Sequence, residues 1–223
     1  MTWLGHNWRW VVELTGDHLL LSAAAIVLST LIAVPIGRLA FRRPMIGSPL
    51  LTAAALLYAI PALPLLIIIP AIIGTPLRSA ATMITALTVY GVALLVRTAA
   101  DAFGSVDTRT RDAAVAIGYS PRSVFWRIDL PLAVPVLLSG IRVMTVSTIG
   151  LVTIGALIGV PSLGTLLTDG FQRGIAAEVA TGVIATVLLA LALDGLLLLL
   201  GRVLTPWRRS VPRALPRTRE VST

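Results

Sequence analysis

Five runs in this sequence are each long and apolar enough to cross a bilayer: Leu19–Phe41, Leu50–Ile73, Ser79–Ala100, Val134–Gly159 and Val179–Leu200. At 1.5 Å of rise per residue, roughly 20 residues cross about 30 Å of hydrocarbon. Lipid offers the backbone no hydrogen-bond partner, so single segments of this kind must fold as helices. The expected fold is an all-α membrane protein of about five transmembrane helices. The chain is 13% charged, against about 25% in soluble domains, which leaves little for a soluble domain of any size. It contains no Cys, so disulfides and thiolate chemistry are excluded. His6 and His18 precede the first run and read as solvent or interface residues. Two histidines are too few for a histidine metal cluster, and no metal site is expected.

The net charge of +8 could suggest nucleic acid, but the arginine positions suggest topology instead. With the N-terminus outside, fourteen arginines flank or form the inner loops and tail, and only Arg9, Arg78 and Arg173 fall outside. Positive charge concentrates on the cytoplasmic side of membrane proteins, so the expected orientation is N-terminus outside and C-terminus cytoplasmic. No nucleic-acid partner is required. Residues 1–18 hold Trp3, Trp8 and Trp10 and read as an outer interfacial segment, with Trp3, Trp10 and Leu14 on one helical face. Residues 19–204 form the membrane domain. In the outer loop 160–178, a short re-entrant or interfacial helix is expected over Leu163–Phe171. Residues 205–223 form a basic, proline-rich tail, expected to be disordered and drawn to anionic lipid. The second run carries Pro61, Pro64 and Pro70, which predict a kinked or locally unwound helix that either packs or lines a gate.

Between the third and fourth runs lies a polar stretch, residues 109–131. Thr108 or Thr110 can cap a short helix to about Ile117, and Gly118 suits a left-handed stop. Ser120 and Pro121 restart a second helix that should run to Ile128 and break at Pro131. Apolar Val115, Ile117, Val124, Phe125 and Trp126 alternate with Arg and Asp. Such a corner suits either a groove on a partner protein or an anchor in the inner leaflet.

The spacing Asp112-Ala113-Ala114, three residues, Gly118, nine residues, Ile128-Asp129-Leu130-Pro131 resembles the EAA loop of permease subunits of binding-protein-dependent ABC importers. Asp112 stands where that pattern has Glu. The chain from about Leu19 to Leu200 further resembles the osmoprotectant permeases, those for glycine betaine, carnitine and choline. This closer likeness rests on Ile60-Pro61-Ala62-Leu63, Val96-Arg97, Gly140-Ile141-Arg142, Thr148-Ile149-Gly150 and Leu193-Asp194. A Pro near Leu94 and an Asn near Thr98 are missing, and Val160-Pro161-Ser162 replaces a Gly-rich run. The resemblance implies a type I importer (MetI-like) permease fold in the bacterial inner membrane. It also implies that Asp112, Ala113, Ala114, Gly118, Ser120, Pro121, Phe125, Ile128, Leu130 and Pro131 couple the chain to a cytoplasmic ATPase. A second permease subunit, identical or homologous, and an extracytoplasmic binding protein complete the implied assembly. The cargo would be a small quaternary amine or proline, with another small solute such as an amino acid as the alternative.

Four ionisable residues lie within the runs: Arg38, Arg97, Arg142 and Asp194. The first two can snorkel. Arg142 and Asp194 sit at equal depth, about 9–12 Å in from the inner boundary at 1.5 Å per residue, and could pair or face a vestibule separately. Thr145 and Thr148 mark a small-residue face suited to a subunit seam or a pathway. Tyr58 and Tyr90 could meet a cationic cargo or fill space. No G-x4-G-K-[ST] phosphate loop is present, so no nucleotide cofactor is expected on this chain, and ATP and Mg belong to the partner ATPase. No H-E-x-x-H or G-x-S-x-G occurs, which argues against an enzyme. An ion-coupled secondary transporter would be expected to show internal repeats and midplane carboxylates, and the runs contain one acid.

Overall fold

The structure, a computed structural model, describes residues 2–207. Every regular element among them is helical: α1 (Thr2–Arg42), α2 (Pro44–Ala59), α3 (Ala62–Ile73), α4 (Ala80–Gly104), α5 (Thr108–Ala116), α6 (Pro121–Val124), α7 (Leu130–Val152), α8 (Leu163–Arg173) and α9 (Ala176–Leu204). A π turn (Phe125–Asp129) joins α6 to α7, and a 3-10 turn (Thr153–Ile158) follows α7. Four of these stretches are long and apolar enough to cross a membrane, and the bent pair α2–α3 makes a fifth. The corner formed by α5 and α6 lies at one end of the bundle, with the C-terminus of α9. The N-terminus and α8 lie at the opposite end. The basic tail expected over 205–223 falls, from residue 208 on, outside the described residues.

α1 and α4 form the centre of the bundle. Gly37 lets them approach closely: a Cβ there would lie 2.8 Å from the Ala100 nitrogen and 2.8 Å from the Val96 carbonyl. Gly91 plays the same part higher up against Ser29, whose hydroxyl donates to the Thr88 carbonyl at 3.1 Å. Phe103, Ala99 and Ala133 are buried beside the corner, while Leu21, Met83, Leu87 and Val152 fill the opposite half.

Several expectations need correcting. Residues 2–18 are helical and continuous with the first span, as the opening turns of α1, which runs 41 residues without a break. Trp3, Trp10 and Leu14 do share one face; they pack on Leu163 and Leu166 of α8, and that burial carries the helix past the apolar run. α8 covers the stretch where a short helix was expected, with Leu163 and Leu166 fully buried within the chain. Ser162 caps it in a reciprocal capping box with Thr165. His18 is neither a solvent nor an interface residue. It is 0% exposed, and its Nε2 lies 3.0 Å from the Ile149 carbonyl.

The second span starts at Pro44 rather than Leu50, and it bends by 110° where the helix unwinds at Ile60 and Pro61, in keeping with the proline pattern. Ile60 and Pro61 both take extended backbone angles, as the pyrrolidine ring requires of the residue before it. The fourth span starts earlier than Val134, at Leu130, and its α-helical part ends at Val152.

Candidate functional site

The corner between α4 and α7 is built by local rules. Asp107, not Thr108 or Thr110, caps α5, its carboxylate accepting from the Arg109 N–H at 2.9 Å. After α5 the chain reverses at Gly118, whose φ of +92 is costly for any residue with a Cβ. The reversal is closed by Tyr119 N–H to Ala114 C=O at 3.0 Å and by Gly118 N–H to Val115 C=O at 3.0 Å. Ser120 caps α6 through the Ser123 N–H at 3.3 Å, with Pro121 as the first helical residue.

The expected break at Pro131 does not occur. In a regular α-helix the Pro131 ring would collide with the Arg127 carbonyl. The π turn at Phe125–Asp129 widens the helix there, with the Leu130 N–H reaching back to the Phe125 carbonyl. The second helix of the corner is thus mechanically continuous with α7.

Arg111 fastens the corner to the bundle. Its Nε donates to Asp129 at 2.6 Å, and its Nη2 donates to the Phe103 carbonyl in the last turn of α4. Its guanidinium also sits 5.0 Å from the centre of the Phe41 ring, near the end of α1. Arg38 lies 3.3 Å over the Phe125 ring. A cavity of about 260 Å³, lined by Arg38, Phe41, Arg111, Val115, Val124 and Asp129, lies beneath the corner. One guanidinium therefore links α5, α4, α1 and the π turn. In the sequence Arg111 was legible only as a topology charge, Arg38 as a snorkelling cation at the inner edge, and Asp129 only as a spacer between Ile128 and Leu130. The signal that could have singled out Arg111 and Asp129 is their opposite sign on the two sides of one helical corner.

Among the residues expected to couple, Asp112, Ala113, Gly118, Ser120 and Pro121 are exposed, and Ala114 is buried within the chain. Phe125, Ile128, Leu130 and Pro131 are half-buried and turn toward the bundle. The outer surface of the corner sets apolar Val115, Ile117 at 76% and Trp126 at 59% exposure among exposed Arg109, Asp112, Arg122 and Arg127.

The other candidates fall in three places. Arg142 donates two hydrogen bonds to Asp194, Nε to Oδ1 at 2.7 Å and Nη2 to Oδ2 at 2.7 Å, tying α7 to α9. From their own helix ends they sit about 18 and 15 Å along, at 1.5 Å per residue. Tyr58 and Tyr90 meet beside the Pro61 bend with ring centres 4.8 Å apart. Thr145 and Thr148 are 1% and 3% exposed. They belong to the interior of this chain, so a second subunit could not meet them on its surface. No group of acids and histidines that could hold a metal occurs among the described residues.

Residues 25–210 match the family described as binding-protein-dependent transport system inner membrane component. The chain belongs to this family. It is a non-catalytic, multi-pass permease of the bacterial inner membrane, and the ATPase of such a system is a separate subunit. The permease is similar to the osmoprotectant import permease protein OsmW of Salmonella typhimurium, 35% identical over 207 residues that cover 90% of this chain and 94% of that one. It is also similar to the choline transport system permease protein OpuBD of Bacillus subtilis, 27% identical over 94% of this chain and 92% of that one. Its fold matches a permease chain in inward-facing structures of the MetNI methionine ABC transporter, with a TM-score of 0.79 at 21% identity, over 89% of this chain and 98% of that one. The expected type I importer permease fold is the observed one.

Proposed function

We propose that this permease moves a small osmoprotectant, a quaternary amine of the betaine, choline or carnitine kind, into the cell by alternating access. The observation that carries the coupling half of this reading is the Arg111 clamp, since a push on the exposed corner must move α1, α4 and α7 together. Relatives named for osmoprotectants and choline over nine-tenths of the chain support the cargo. The corner faces the cytoplasm and the N-terminus lies outside, in keeping with the arginine distribution. Ile117, Trp126 and Val115 seat in a cleft of a cytoplasmic ATPase, which supplies ATP and Mg chemistry to a chain that has none. A second permease subunit shares the pathway, and a loaded binding protein delivers cargo at the α8 end. Within the bundle, Pro61 and the Tyr58–Tyr90 pair lie along the route, their ring faces suited to a permanent cation.

The test is uptake into proteoliposomes holding the permease with its cognate ATPase and binding protein. Labelled glycine betaine or choline should accumulate only with ATP inside. Gly118→Pro and Asp112→Arg should abolish cargo-stimulated ATP hydrolysis while leaving membrane insertion intact. Accumulation of an amino acid but no quaternary amine would overturn the cargo. Unchanged stimulation in both variants would overturn the role of the corner.

A further inference from the structure

At the corner end of the bundle, the turn from α1 into α2 lies beside the last turns of α4 and leaves a groove of about 720 Å³. Gly47 lets the turn close on itself, since a Cβ there would collide with the Ala40 carbonyl. Arg97 and Asp101 of α4 line the groove together with Ser48 and Thr52 of α2. Phe41 lines it too, and Gly104 leaves that ring uncovered: a Cβ at 104 would lie 3.7 Å from two of the ring carbons.

The two charges in this groove are opposite in sign and unpaired. Neither Arg97 nor Asp101 makes a side-chain hydrogen bond or ion pair among the described residues. They do not pair with each other, and a cation four residues before an acid is the less favourable order on a helix. Arg97 falls within the third apolar run and Asp101 immediately beyond it. At such a depth an ionisable group faces a partner or a water-filled path. Thr52 spends its hydroxyl on the Ser48 carbonyl at 3.0 Å, leaving the Ser48 hydroxyl as an uncommitted donor among the described residues. A simple anion in the groove would meet Asp101, and a simple cation would meet Arg97. A ligand with one charge of each sign answers both.

We propose that this groove is a binding site for a small zwitterion, its carboxylate held by Arg97 and Ser48 and its ammonium end by Asp101 beside the Phe41 ring. An aromatic ring attracts a methylated ammonium. The inference rests on the cargo proposed above and narrows it. A betaine or carnitine fits, whereas choline carries no anionic group and leaves Arg97 unanswered. With the corner on the cytoplasmic side, the groove is the last station before release. A phosphatidylethanolamine headgroup carries the same two charges, so the test separates the two sources.

The test is saturation-transfer nuclear magnetic resonance on the nucleotide-free complex of permease and ATPase in detergent, without the binding protein. The probes are glycine betaine, choline, which lacks the carboxylate, and trimethylacetate, which lacks the cation. Glycine betaine should bind about five-fold better than either of the others. Asp101→Asn should lower its binding by a similar factor, and Ser48→Trp, which fills the groove and leaves both charges, should lower it as well. Arg97→Gln should lose glycine betaine and gain choline, an inversion that misfolding could not produce. Equal binding of glycine betaine and choline by the parent, or an unchanged preference in Arg97→Gln and Asp101→Asn, overturns the site. Displacement of glycine betaine by carnitine supports the cargo assignment. Displacement by dihexanoyl phosphatidylethanolamine and not by carnitine would mean a lipid headgroup and overturns it. Uptake of glycine betaine into proteoliposomes, with no binding at the groove, would remove the site and leave the cargo standing. Uptake of an amino acid alone would remove the cargo whatever the groove binds.

Discussion

His18 joins two helices at the point where one of them changes its winding. α7 ends at Val152, and the Thr153 N–H turns to Leu151 as the chain tightens into the 3-10 segment, leaving the Ile149 carbonyl without that partner. A carbonyl can only accept, so the His18 Nε2 carries the proton, and its Nδ1 stays buried without a partner among the described residues. His18→Ala should destabilise the protein by about 1–3 kcal/mol, the cost of a buried polar group left unsatisfied. His18→Gln, which keeps a donor, should recover part of that loss. Thermal unfolding of the purified permease in detergent measures both, and equal stability of His18→Ala and the parent would remove the latch. Nothing local could have revealed it, because the partner lies 131 residues away. Arg111 makes a parallel case. Arg111→Lys keeps the charge but cannot span Asp129 and the Phe103 carbonyl with one fork. Uptake should fall while the amount of inserted protein stays constant; unchanged uptake would show that charge alone suffices there.

Among the elements, what was legible follows from what hydropathy measures. Apolar runs report contact with lipid, so five spans could be counted, but α1, α4 and α9 all continue as helix beyond the runs. Their extra turns are held by packing, as with Trp3 and Trp10 on α8, and packing partners have no local signature. Ser120, Pro121 and Gly118 announced the corner because capping and left-handed turns are local chemistry. The π turn was not legible, since a proline ordinarily ends a helix and its rescue depends on how the preceding turn widens. The bend between α2 and α3 tests the same balance. In hydrocarbon an unsatisfied peptide group costs several kcal/mol, so a non-proline residue at 61 favours one continuous helix. Spin labels at Leu50 and Ile73 should therefore move apart in Pro61→Ala, short of the about 35 Å of a straight helix at 1.5 Å per residue because the Pro64 ring still crowds the Ile60 carbonyl. A distance that stays at the parent value would assign the bend to the burial of Leu65, Leu66 and Ile69 instead.

At the scale of the molecule, polar ties decide which helices move as one. The Arg111 clamp binds the corner to α1 and α4, and the π turn makes the corner continuous with α7. α9 is different: its most apolar stretch is unburied, and its tie to α7 along that stretch is the Arg142–Asp194 fork. Apolar surface gives little drive for helix association in lipid, so a polar contact has disproportionate control over how α9 follows α7. Arg142→Asp and Asp194→Arg, taken singly, each place two like charges side by side within the bundle. Each should lose most ATP-driven uptake, and the loss should exceed that in Asp194→Asn, which removes charge without adding repulsion. The double reversal restores opposite signs across the same pair of helices and should regain most of the uptake. Proteoliposome uptake, normalised to inserted protein and read beside ATP hydrolysis, distinguishes the outcomes. A double reversal as inactive as either single one would mean that the two residues act separately, each facing water on its own account, and that α9 is carried by something other than this fork.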